Sequence, residues 1–91
     1  MGRRIEAWVT GRVQGVWFRA FTAGEARELG VTGFVENLPD GRVHLVAHGA
    51  PEAVDELLKR VQTGPPGSRV DELAVADAPE GVEFSGFSIR H

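Results

Sequence analysis

Hydrophobic residues in this chain change period again and again along its length. Residues 4 to 10 (RIEAWVT) alternate, with Ile5, Ala7 and Val9 toward one face and Glu6, Trp8 and Thr10 toward the other, which predicts a half-buried strand. From 18 to 29 the spacing lengthens to that of a helix. Phe18, Thr22, Ala26 and Leu29 fall in one stripe with Phe21 beside it, and Gly30 suits a left-handed cap. Two alternating runs follow, GFVENL (33–38) and RVHLVAH (42–48), parted by Pro39-Asp40-Gly41, a hairpin turn with glycine where positive φ is needed. Pro51 opens a second helix that reaches Gln62 with Val54, Leu57, Leu58 and Val61 as its apolar stripe. Asp55–Lys59 and Glu56–Arg60 are i,i+4 pairs on its wet side. RVDELAVADA (69–78) reads as a strand anchored by Val70, Leu73 and Val75, and FSGFSIR (84–90) as a last short one with Gly86 as a bulge.

An order of β-α-β-β-α-β with one further strand has few ways to bury both helical stripes. The fold class expected is α/β (an α+β sandwich), a ferredoxin-like βαββαβ with two helices on one face of a mainly antiparallel sheet, plus a short C-terminal strand. TGPPGS (63–68) is a break within that unit, because too little chain follows it to fold alone; residues 1–91 are therefore expected to form a single domain. A hydrophobic share of 42% is enough for a core without covalent staples. Cysteine is absent, which excludes disulfides, thiolate nucleophiles and Cys-ligated zinc and favours a cytoplasmic location. The start, MGRRIEAWV, lacks the apolar stretch of a signal peptide, and no window approaches the roughly 20 apolar residues of a membrane span. A net charge of −3 argues against a nucleic-acid partner held through phosphates. A monomer is the default for so small a domain.

Topology then gathers distant residues. Strand one runs up into GRVQGVWFR (11–19), the first helix brings the chain back down, and strand two rises to Asn37, the only asparagine. The glycine loop, Arg19 and Asn37 are thus expected on one rim, next to the Pro39-Asp40-Gly41 turn. A loop entering a helix N-terminus presents unpaired N–H groups in a positive field. Glycines at 11 and 15 allow those groups to converge on an anion, and Arg19 adds a planar fork of donors. The P-loop pattern is not met, for its lysine and hydroxyl are missing. The same spacing also fits a plain turn beside a solvated arginine. His44 and His48 share a strand face but stand roughly 13 Å apart at ~3.3 Å per residue, too far to hold one ion, and are expected on the surface with His91. Trp8 and Trp17 read as packing or rim aromatics.

GRVQGVWFR resembles the first signature of the acylphosphatase family, and GFVENLPDGRV (33–43) resembles the second. FTAGEARELGVTG is similar to the family's first helix, and Gly64-Pro65-Pro66 falls where the family commonly has Gly-Pro. The resemblance spans essentially the whole chain. It implies hydrolysis of the carboxyl-phosphate bond of acyl phosphates to carboxylate and inorganic phosphate, with no metal and no cofactor. It also implies that Arg19 binds the phosphate, that Asn37 orients the attacking water, and that the backbone amides of Gln14, Gly15, Val16, Trp17, Phe18 and Arg19 cradle the phosphoryl oxygens. A phosphate oxygen of the substrate would accept the water's proton. The departing carboxylate belongs to an acid of pKa about 4, so it leaves without protonation and no general acid is required. Phe34 stands where the family often has Trp, His44 where it is often acidic, and Trp17 is bulkier than many residues before the Phe-Arg pair. Two rivals share the fold: an RNA-binding domain, whose strand signature is missing here, and an acylphosphatase-like domain of a larger carbamoyl-transfer protein.

Overall fold

The computed structural model describes residues 2–79, 81 and 83–91. Its elements are β1 (Arg3–Arg12), α1 (Phe18–Glu28), β2 (Thr32–Asn37), β3 (Val43–Gly49), α2 (Pro51–Thr63), β4 (Arg69–Asp77) and β5 (Phe87–Arg90). The strands make one sheet in the order β4-β1-β3-β2-β5, with β3 between β1 and β2 as the split βαβ topology requires. β1 is antiparallel to β3 and β4, β2 is antiparallel to β3, and β5 alone is parallel, beside β2. Two helices on such a mixed five-stranded sheet form the ferredoxin-like α+β fold.

Alternation along the strands decides which face the helices cover. Ile5, Ala7 and Val9 of β1 and Val43, Leu45 and Ala47 of β3 are fully buried, together with Val54, Leu57 and Val61 of α2 and Ala23 and Ala26 of α1. Each Val, Leu or Ile so placed stabilises the fold by roughly 1.5–3 kcal/mol relative to leaving it in water. Leu29 caps α1 and Gly30 follows in the left-handed conformation, its N–H bonded to the Arg27 carbonyl.

Four expectations need correction. β1 runs on to Arg12, so Gly11 belongs to the strand and not to the loop. The register between β1 and β4 slips at Thr10/Gly11, where Asp71 is the extra residue of a bulge. Gly11 has a φ of 136°, and a Cβ there would run into the Arg69 carbonyl, so its glycine serves sheet packing. The slip puts Val70 on the same face as Leu73 and Val75, yet Val75 is 42% exposed, because β4 is an edge strand that the helices barely overlap. Asp55 pairs with Arg3 and not with Lys59, while Glu56 does bond Arg60. Finally, His44 is not a surface residue: its side chain is only 14% exposed. It stacks on Trp8, meets the Phe34 ring edge-on and places Nδ1 2.8 Å from Glu36 and Nε2 3.1 Å from Glu6. The register sets Trp8 and Glu36 on either side of it, closing over a residue whose own strand position says only that it faces away from the helices.

Candidate active site

The chain between β1 and α1 is short and unusually wound. Gly15 has φ 73° and Trp17 φ 72°, two left-handed residues one apart, and Trp17 is the only non-glycine residue with positive φ among those described. Left-handed residues in a chain that otherwise turns right-handed point successive N–H groups to one side, which is the geometry of an anion nest. No protein acceptor pairs with the backbone N–H groups of Gln14 to Arg19 among the described residues; the first bond of the helix start is donated by Phe21 to the Trp17 carbonyl. The N-cap position carries no side-chain cap either. These unpaired donors lie at the end of α1 that carries partial positive charge.

Arg19, the second residue of α1, holds its guanidinium against the chain end of β5. Nη1 donates to the Arg90 carbonyl at 2.8 Å and lies 3.4 Å from His91 Nδ1. No carboxylate pairs with it among the described residues, so its charge is not neutralised by an acid. Asn37, the last residue of β2, reaches the same place from the neighbouring strand. Its Oδ1 is buried without a hydrogen-bond partner, an acceptor that costs free energy to leave unmatched. Gly15, Trp17, Arg19 and Asn37 line one cavity of about 340 Å³, whose wall is completed by Ile89 and His91.

The turn below the cavity is tied to the loop by one side chain. Gln14 Nε2 donates to the Leu38 and Arg42 carbonyls, at 2.9 Å each. Leu38 N–H in turn donates to the Arg42 carbonyl, and Gly41 N–H to the Leu38 carbonyl. Asp40 accepts from the Arg42 amide at 3.0 Å and from its Nε at 2.8 Å. The amide bond first, and the guanidinium with it, hold the Asp40 carboxyl below its ordinary 3.8.

Residues 5–89 match the acylphosphatase family. An acylphosphatase of Methylococcus capsulatus is 52% identical over 87 residues, covering 96% of this chain and 95% of the relative. The chain belongs to the acylphosphatase family. The crystal structure of the Bacillus subtilis acylphosphatase superposes with a TM-score of 0.94 at 35% identity over the full length of both chains. The structure of an acylphosphatase from Coxiella burnetii does so at 0.93, also 35% identical, over 98% of this chain and 93% of the other. Acyl phosphate hydrolysis is the activity of this acylphosphatase, with a small-molecule acyl phosphate as substrate and phosphate as product.

The expected rim exists: the glycine loop, Arg19 and Asn37 meet at one edge of the acylphosphatase sheet. Sequence reasoning missed the roles of the Gln14 side chain, of the Arg90 carbonyl and of Ile89. A carbonyl contact from β5 carries no residue-type signature, and only the parallel pairing of β5 with β2 brings it to Arg19.

Proposed function

We propose that the amides of Gln14 to Arg19 and the Arg19 guanidinium grip the phosphoryl group of an acyl phosphate while Asn37 aims water at phosphorus. The reading rests on one observation: Gly15, Trp17 and Phe18 of the loop with unpaired amides, Arg19 with its acid-free guanidinium, and Asn37 with its unmatched amide oxygen line a single cavity. Water that donates a hydrogen bond to Asn37 Oδ1 turns a lone pair toward phosphorus, opposite the acyl oxygen. The new O–P bond forms as the bond from phosphorus to the acyl oxygen breaks. The acyl oxygen keeps the electron pair and leaves as carboxylate, and the water's proton passes to a phosphoryl oxygen, giving dihydrogen phosphate. Because the departing group needs no proton, the chemistry reduces to holding charge and aligning atoms. Arg19 and the amides take the place a metal would fill, so no metal or cofactor takes part.

On the same reading residues 1–91 act as a single domain and as a cytoplasmic monomer, with neither nucleic acid nor membrane as a partner; the net charge of −3 supports the first of these exclusions. Among the described residues no helix is long and apolar enough to cross a membrane. Titration with orthophosphate followed by amide NMR tests the cradle. The signals of residues 14 to 19 should move together and saturate; signals that stay in place overturn the assignment. Turnover that is unchanged by EDTA is expected alongside.

A further inference from the structure

Trp17 stands in a backbone conformation that favours glycine, and its side chain does nothing visible for the fold. With φ 72° it supplies one of the two left-handed turns of the loop, yet the residue is 78% exposed and its ring joins no stacked pair among those described. Gly15, two residues earlier, meets the same backbone demand without a side chain. A bulky residue that carries this strain on an exposed ring is not explained by packing, and strain of this kind collects at binding sites. Trp17 lines the cavity together with Ile89.

In-line displacement decides what lies there. If Asn37, whose oxygen is buried, holds the water as proposed above, the leaving acyl group departs from the other side of phosphorus, toward the open rim. Trp17 is the most exposed apolar side chain of that rim. We infer that Trp17, with Ile89 beside it, forms a subsite for the acyl half of the substrate and selects acyl phosphates whose acyl group is aromatic over those with a small one. This rests on the reading of Asn37 and Arg19 given above. The subsite adds affinity through stacking and leaves the phosphoryl chemistry to the cradle.

The test compares benzoyl phosphate with acetyl phosphate as the ratio of their kcat/KM values, in the unaltered protein, Trp17→Ala and Trp17→Phe. Alanine and phenylalanine keep a Cβ and therefore the same backbone penalty, so the loop is equally strained in all three. The ratio should favour benzoyl phosphate in the unaltered protein, fall roughly three- to tenfold in Trp17→Ala and return in Trp17→Phe. A ratio that is the same in all three proteins overturns the subsite, as does a loss that phenylalanine does not restore. An Arg19→Lys protein run in parallel separates the two ideas: full turnover there overturns the phosphate site itself, whereas lost turnover with an unmoved benzoyl-to-acetyl ratio in the Trp17 variants overturns only the acyl subsite.

Discussion

Two tight turns lie side by side at one edge of the sheet, and they treat their own backbone in opposite ways. In the β2–β3 turn, Leu38 N–H, Gly41 N–H and Arg42 N–H all find acceptors inside the turn, the last of them on Asp40. In the β1–α1 loop, the N–H groups from Gln14 to Arg19 find none among the described residues. Both turns use left-handed residues, Gly41 in one and Gly15 with Trp17 in the other, so conformation alone does not separate them. What separates them is whether the donors find partners. A turn that satisfies itself is a connection. One that leaves a row of donors open, at a helix N-terminus and beside a guanidinium that no carboxylate neutralises, has the donors that an anion would need. Gln14 links the two, since it belongs to the open loop but spends its side chain on the carbonyls of the closed turn.

Substitutions can break this contrast, and the largest break should come from the open side. Arg19→Lys replaces a planar fork by a point charge and is expected to lower kcat/KM for benzoyl phosphate by roughly 10³-fold or more, with thermal stability little changed. Asn37→Ala should reduce kcat by roughly 10²–10³-fold while inhibition by orthophosphate persists, because the cradle remains intact. Loss of both together would make Asn37 a structural residue. Gln14→Ala cuts the tie between the turns, removing two part-buried hydrogen bonds. It should cost about 1–2 kcal/mol in urea denaturation and raise KM several-fold, with a smaller effect on kcat. The smallest effect belongs to the closed turn. Asp40 has a folded-state pKa below its unfolded 3.8, so the carboxylate's contribution to stability is fully present above pH about 3.8 and is lost as pH falls through the folded value. NMR titration of the Asp40 carboxyl should show a midpoint under 3.8, and Asp40→Asn should bring only a slight loss of stability, with activity near that of the unaltered protein.

The two turns were unequally legible in the sequence. Pro39-Asp40-Gly41 announces its own conformation, since proline, a side-chain acceptor and a glycine are all local requirements of a turn. The loop was legible only in outline. Gly15 is left-handed as expected, but Gly11, which looked like its partner, answers to the Arg69 carbonyl across a bulge, and the second left-handed residue is Trp17, which composition gives no reason to suspect. The open face of the sheet was misjudged for a similar reason. Period two places His44 away from the helices, but its burial depends on the rings and carboxylates that neighbouring strands happen to bring.

Period and punctuation along the chain were thus sufficient for the element order, the helix-facing core and the placing of β3 between β1 and β2, because burying an apolar stripe is a demand each segment makes by itself. The residue type at 19 suggested an anion partner, and the resemblance to the family gave Arg19 and Asn37 their expected roles. Only the folded chain decided that Ile89 and His91 close the cavity that Arg19 and Asn37 share, that the Arg90 carbonyl holds the guanidinium, and that Trp17 takes the strained place at its rim. Those are contacts between segments distant in sequence, set by register and by the parallel docking of β5, and no local pattern encodes them.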